Sequence, residues 1–264
     1  MWFKGYWDNL KLKFHILVVK YKSKSTYPDV LTVNFESIFG KQRKLKIAVI
    51  DDDDFPFTDA LEARGVGGKV QHFSDYTKPL KQAHQKSKPI DLSNFDIIFC
   101  DISGVGSSIF PSLEGIGVID DLRIKYPFHV IVAYTGNPGL ISSKLKKEGC
   151  VDHIFSKDWQ LDDFLLNFDK LVEIFKFPKA RWNFIRKRLS FLDVGEKEIE
   201  SFRRSFVEHV LLANILKNNF DWNPEQTRNM LIDSSNRSQI ECETLVKLGI
   251  NGLQITKLIT PNLG

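Results

Sequence analysis

The chain has 264 residues and a mass of 30.4 kDa, enough for one large domain or two small ones. Its 42% hydrophobic and 27% charged content is globular, which excludes a disordered, collagen-like or disulfide-stapled chain as the main state. The net charge of +4 is uneven: residues 1–44 carry nine Lys and Arg against three Asp and Glu, 45–178 carry 15 against 20, and 179–264 carry 13 against 10. An acidic middle between two basic ends marks three regions. Phe is abundant, with 21 copies, so the core is expected to be aromatic. Cys100, Cys150 and Cys242 are odd in number and far apart, with no Cys-x-x-Cys. That pattern points to a reducing compartment and away from a structural zinc site. No apolar run reaches 18 residues and the N-terminus shows no signal-peptide pattern, so the expected location is the cytoplasm.

Residues 1–44 form a basic, aromatic extension. Trp2, Phe3, Tyr6, Trp7, Leu10, Phe14, Leu17 and Tyr21 can share one face of a helix, as a membrane-surface or partner helix requires. Leu10, Leu12, Phe14 and Ile16 also alternate, as do Leu31, Val33 and Phe35, which suits two strands. Docking onto the chain's own domains is the plainer role.

From 45 onward, short apolar runs alternate with helix-compatible stretches. The runs Leu45–Ile50, 69–73, 95–100, 129–134 and 153–155 predict five strands, the first, third and fourth apolar enough to be buried on both faces. The stretches 57–66, 76–87, 112–126, 139–148 and 159–175 predict helices, with Gly149 as a helix stop. Such alternation gives a doubly wound α/β fold with a five-stranded parallel sheet.

In a sheet of this kind a ligand sits beyond the carboxyl ends of the strands. Strand one is followed by Asp51-Asp52-Asp53-Asp54, strand three ends at Asp101, strand four at Thr135, and strand five is followed by Lys157. Clustered carboxylates repel one another unless a cation is present. Mg2+ is satisfied by one or two carboxylates, waters and a phosphate. A lysine and a hydroxyl can hold phosphoryl oxygens, and an aspartate can itself take the phosphoryl group. Asp53 and Asp54 are assigned to a helix-entry cap. His129 and His153 are assigned to satisfied sheet positions, and Cys100 and Cys150 to inert buried ones.

Residues 45–176 resemble the receiver domain of bacterial two-component response regulators. The matching pieces are Ile47-Ala-Val-Ile-Asp-Asp-Asp-Asp54, Phe95-Asp-Ile-Ile-Phe-Cys-Asp-Ile102, Val130-Ile-Val-Ala-Tyr-Thr-Gly136 and Gly149-Cys-Val-Asp-His-Ile-Phe-Ser-Lys157. The resemblance covers about half the chain and implies a flavodoxin-like fold. It makes Asp101 the phosphoacceptor and Asp51 and Asp52 the acidic metal pair. Mg2+ is then held by Asp51, Asp52, Asp101 and the carbonyl of Ser103. Thr135 is the switch hydroxyl and Lys157 the phosphate-contacting lysine, Asp101 and Lys157 being the catalytic pair. The implied partner is a histidine kinase or phosphotransfer protein, with a homodimer compatible. The sequence departs from the family in the small-residue loop 102–108, expected to be flexible, in Gly136 after Thr135, in Ile154 where an aromatic is common, and in Asp158 after Lys157. The alternative is a pseudo-receiver, the same fold used as a binding or scaffold module without phosphorylation. No separate enzymatic activity is expected beyond self-phosphorylation from a donor and autodephosphorylation.

Residues 179–264 read as an all-α output or interaction domain, with helices over 180–190, 196–218, 224–233, 238–247 and 252–258. The piece 242–257 has a turn glycine between two short helices, as a helix-turn-helix does. A regional charge of +3 is too small to establish nucleic-acid binding.

Overall fold

The computed structural model describes residues 34–39, 44–64, 67–77, 88–139 and 149–219. The expected helices over 224–233, 238–247 and 252–258, all but the first residue of the one over 139–148, most of the one over 76–87, and the extension before residue 34 lie outside them. The chain divides into two compact units, one of residues 44–172, the other of 1–43 with 173–264.

The first unit is built on a five-stranded, all-parallel sheet in the order β2-β1-β3-β4-β5. The strands are β1 (Leu45–Ile50), β2 (Gly67–Phe73), β3 (Ile97–Asp101), β4 (Val130–Thr135) and β5 (His153–Ser156). This is the flavodoxin-like winding, whose crevice lies where the strand order reverses, between β1 and β3. Every residue of β3 and β4 is buried. Alternate residues serve opposite faces, the period of an extended chain. Ala48, Ile50, Ile98, Cys100, Ile131 and Ala133 join one core layer with Val118, Ile119 and Leu122 of the helix Gly115–Lys125.

The opposite layer is aromatic, as the Phe count predicts. Phe99, Tyr134 and Phe155 from the strands meet Phe55 and Phe164 at centroid distances of 5.3–5.9 Å. Phe57 stacks on Phe164 at 3.9 Å. Phe164 and Phe168 lie on the buried face of the helix Leu161–Lys176, and each is fully buried.

The helices in chain order are α1 (Phe35–Phe39), α2 (Thr58–Ala63), α3 (Gly115–Lys125), α4 (Leu161–Lys176), α5 (Pro178–Phe191) and α6 (Glu196–Asn219). Three expectations are corrected. Phe35 begins a helix rather than continuing a strand, because Asn34 Oδ1 accepts the Glu36 N–H at 2.8 Å and starts the turn. Residues 76 and 77 do not open a helix: Thr77 pairs antiparallel with Pro89, and Tyr76 is buried with its hydroxyl donating to Asp121 at 2.5 Å. Asp53 and Asp54 do not cap α2, which begins only at Thr58 after Phe55 and Phe57 have turned into the core; no side chain caps it. Gly149 has φ 66°, the left-handed conformation that a helix stop needs.

In the second unit the described residues are helical, with no strand among them. Pro178 sits in the first turn of α5, where its missing N–H costs nothing. Trp182 of α5 packs on Phe202 and Phe206 of α6 at 6.0 and 5.7 Å, and α1 also packs on α6.

One buried ion pair locks α3 to the sheet. Arg123 donates to the carbonyls of Cys150, Pro127 and His129 at 3.0–3.1 Å and to Asp152 Oδ2 at 2.7 Å. Asp152 Oδ2 also accepts the Ile131 N–H at 2.9 Å. Removing one partner of such a pair strands the other charge, at a cost of about 3–5 kcal/mol. We expect Arg123→Met to lose about that much stability in urea denaturation. Adding Asp152→Asn, which keeps an acceptor for Ile131 but drops the charge, recovers part of the loss. A single variant as stable as the parent would show the pair to be dispensable.

Candidate functional site

The register brings the strand ends into one row. Ile50 pairs with Cys100, Asp101 with Tyr134 and Thr135 with Ser156. Asp51 therefore follows β1 beside Asp101, and Lys157 follows β5 two strands away. The parallel sheet fixes this arrangement, since each carboxyl end opens on the same edge.

Lys157 closes the row. Its Nζ donates to Asp101 Oδ2 at 2.7 Å and to Asp51 Oδ1 at 3.0 Å, and lies 3.8 Å from Asp53 Oδ2. Its own N–H donates to the Thr135 carbonyl at 2.9 Å, which holds the base of the side chain at the end of β4. Asp101 Oδ1 accepts the N–H groups of Ile102 at 2.6 Å and Ser103 at 3.3 Å. Asp51 Oδ1 accepts the Asp53 N–H at 3.0 Å, but Asp51 Oδ2 is buried with no hydrogen-bond partner.

Burial raises the Asp51 carboxyl above its ordinary value of 3.8, and the hydrogen bonds from Lys157 and the Asp53 N–H only partly oppose it. Burial alone would lower Lys157, yet its hydrogen bonds to Asp101 and Asp51 outweigh that and hold the ammonium well above the ordinary lysine range. Burial pushes the Tyr134 phenol, whose ring lies 5.5 Å from Lys157 Nζ, up to about 12. Cys100, fully buried behind Asp101, is pushed up by burial too, which makes it a poor nucleophile.

Asp51, Asp52 and Asp101 each offer an oxygen, and these lie within 4.8 Å of one another. It is the one such group among the described residues. Three carboxylates, one of them with an orphaned buried oxygen, fit a hard divalent cation such as Mg2+. Asp52 is exposed and Asp101 is 5% exposed, so the cluster opens to solvent on one side.

Of the other expected site residues, Ser103 lies beside Asp101 through its N–H. The Thr135 hydroxyl is buried at the end of β4 and accepts the Asn137 N–H at 3.2 Å; it does not touch Asp101. His129 sits against Tyr126 at 4.9 Å, apart from the cluster.

The loop 102–108, expected to be flexible from its small residues, is pinned. Gly106 N–H donates to Asp75 Oδ1 at 2.6 Å, and Gly104 N–H donates to Glu114 Oε2 at 3.1 Å. Gly115, opening α3, approaches the Asp101 carbonyl so closely that a Cβ would lie 1.9 Å from its oxygen. Sequence reasoning missed Asp75 and Glu114. Asp75 follows β2, so the strand-end rule applied to that strand would have found it. Nothing local marks Glu114, because its partner is ten residues away.

No family model matches the chain, and no curated protein does. Among solved structures, similar folds are found in a CheY-like receiver domain protein from Methanospirillum hungatei JF-1, at 16% identity and TM-score 0.34, covering 49% of this chain and 94% of that one. The signal receiver domain of an HD domain-containing protein from Pseudomonas fluorescens Pf-5 is 19% identical, with TM-score 0.36 and coverages of 50% and 89%. The receiver domain of NtrX from Brucella abortus is 17% identical, with TM-score 0.33 and coverages of 48% and 98%. The assignment of individual residues rests on the geometry above, not on these likenesses.

Asp51 combines full burial with a carboxylate oxygen that has no hydrogen-bond partner. A carboxyl whose native pKa is raised binds its proton more tightly when folded. Its contribution therefore falls as pH rises from 3.8 through the raised native value, and at neutral pH it opposes folding. We expect Asp51→Asn to stabilise the metal-free protein at pH 7 by about 1–3 kcal/mol, the cost of a buried unsatisfied group. The same change should abolish the rise in Tm on adding Mg2+ to the parent. Thermal melts with and without Mg2+ decide it; a variant less stable than the parent without metal would reverse the sign of the argument.

Proposed function

We propose that the chain is a response-regulator-like signalling protein that accepts a phosphoryl group on Asp101. The observation that carries this reading is the set of groups around that one side chain. Two backbone N–H groups hold one oxygen, Lys157 holds the other, and Asp51 and Asp52 each bring a carboxylate oxygen within 4.8 Å.

In this reading a carboxylate oxygen of Asp101 attacks the phosphorus of a phosphohistidine on a histidine kinase or phosphotransfer protein. The new acyl O–P bond forms as the P–N bond breaks, and the departing imidazole takes up a proton. Asp51, Asp52, Asp101 and the Ser103 carbonyl would hold a Mg2+ ion, which would supply positive charge to the transfer. Lys157 supplies a positive charge of its own and already meets the acceptor, at 2.7 Å from Asp101 Oδ2. Electrostatic stabilisation of this kind is most of the catalysis in phosphoryl transfer. Water then releases the group as phosphate and restores Asp101.

The phosphoryl group adds about two negative charges beside Lys157. The Thr135 hydroxyl, now accepting from Asn137, is the near group free to donate to a phosphoryl oxygen after a rotation about its Cα–Cβ bond. The helical C-terminal region is the output, and the location is the cytoplasm, where phosphohistidine donors act.

Acetyl phosphate with Mg2+ is expected to add one phosphoryl group, read by intact mass, and Asp101→Asn is expected to take none. An adduct that persists in that variant sinks the assignment to Asp101. No adduct in the parent favours the phosphorylation-independent scaffold instead. Beryllofluoride is further expected to change hydrogen exchange at 134–137 and in α5 or α6, with Thr135→Ala blunting the change. Exchange altered only around Asp101 would separate acceptance from output.

A further inference from the structure

Glu114 is, with Asp193, one of two described non-glycine residues with a positive φ. Its φ of 45° and ψ of −127° lie in a region that glycine occupies freely and other residues occupy at a cost. The surroundings explain why it stays there. Its N–H donates to the Phe110 carbonyl at 2.7 Å, its carbonyl accepts from Val118 at 3.0 Å, and the next residue, Gly115, is pressed against Asp101. The conformation is over-determined, yet glycine would meet it more cheaply.

The Glu114 carboxylate reaches back over the loop and accepts the Gly104 N–H at 3.1 Å. Gly104, held in the left-handed region at φ 80°, backs directly onto Asp52: a Cβ there would lie 2.3 Å from Asp52 Oδ1. Asp52 is the exposed member of the acidic trio, and no side-chain hydrogen bond among the described residues fixes it. Its carboxylate can face Asp51 and Asp101 only while the loop behind it stays in place.

We infer that Glu114 is a positioning residue for the divalent cation: by clasping Gly104 it holds the wall against which Asp52 leans. This rests on the metal site of the proposed function and adds a residue to it. The clasp needs an acceptor at that place, not a negative charge, so the amide isostere should serve. It also sets two effects of one side chain in opposition. Glu114→Gly relieves the backbone and removes the clasp.

The test is Mg2+ titration of the full chain, followed by NMR or intrinsic fluorescence, beside thermal melts without metal. Glu114→Gly is expected to weaken Mg2+ binding about tenfold, the scale for groups that orient metal ligands. Its metal-free Tm is expected to equal or exceed the parent's. Glu114→Gln is expected to bind within about twofold of the parent, because the acceptor oxygen is kept. A merely structural residue would lower both affinity and Tm, or neither. Unchanged affinity in Glu114→Gly overturns the inference, as does a loss in Glu114→Gln equal to that in Glu114→Gly, which would make charge the cause. If the parent itself binds no Mg2+, the reading of the site fails rather than the role of Glu114 within it.

Discussion

One ammonium between two buried carboxylates organises the first unit. Lys157 meets Asp101 and Asp51 at 2.7 and 3.0 Å, and so ties the ends of β1, β3 and β5 together. Burying a carboxylate is costly unless a cation lies beside it. The lysine is one charge against two, and the shortfall shows in the unpaired Asp51 oxygen. Burial on both faces of the sheet leaves its carboxyl edge as the place where such groups can gather. The acidic edge and the aromatic layer are thus two sides of one constraint.

Much of this was legible in the chain. Continuous Ile and Val runs give β1, β3 and β4, because only strands covered on both faces can be so apolar. The strand-end rule then selects Asp51, Asp101, Thr135 and Lys157. The boundaries were less legible. β3 begins at Ile97, two residues after the apolar run that predicts it. Asp96, read inside that strand, instead caps β1 by accepting the Lys46 N–H at 3.0 Å.

Pairings made at long range were not legible. Arg123 looks like an exposed helix residue, yet it is buried against three carbonyls and Asp152. Asp75 and Glu114 hold glycines 31 and 10 residues away. Asp53 and Asp54 looked like caps because the chain had turned polar, but Phe55 and Phe57 first had to enter the aromatic layer. In each case the partner was set by tertiary packing, which leaves no local pattern.

The two glycines of α3 have a mechanical consequence. Gly115 touches the Asp101 carbonyl, and Gly117 lies against the Phe110 ring, where a Cβ would come within 2.6 Å. The helix is seated with almost no clearance behind the acceptor strand, and Arg123 anchors its far end. Such a support has little compliance. A load applied at the Asp101 side chain cannot be absorbed by recoil of β3 toward α3. It is passed forward to what lies in front of the sheet, including Gly136 after β4, where a Cβ would meet nothing within 4 Å.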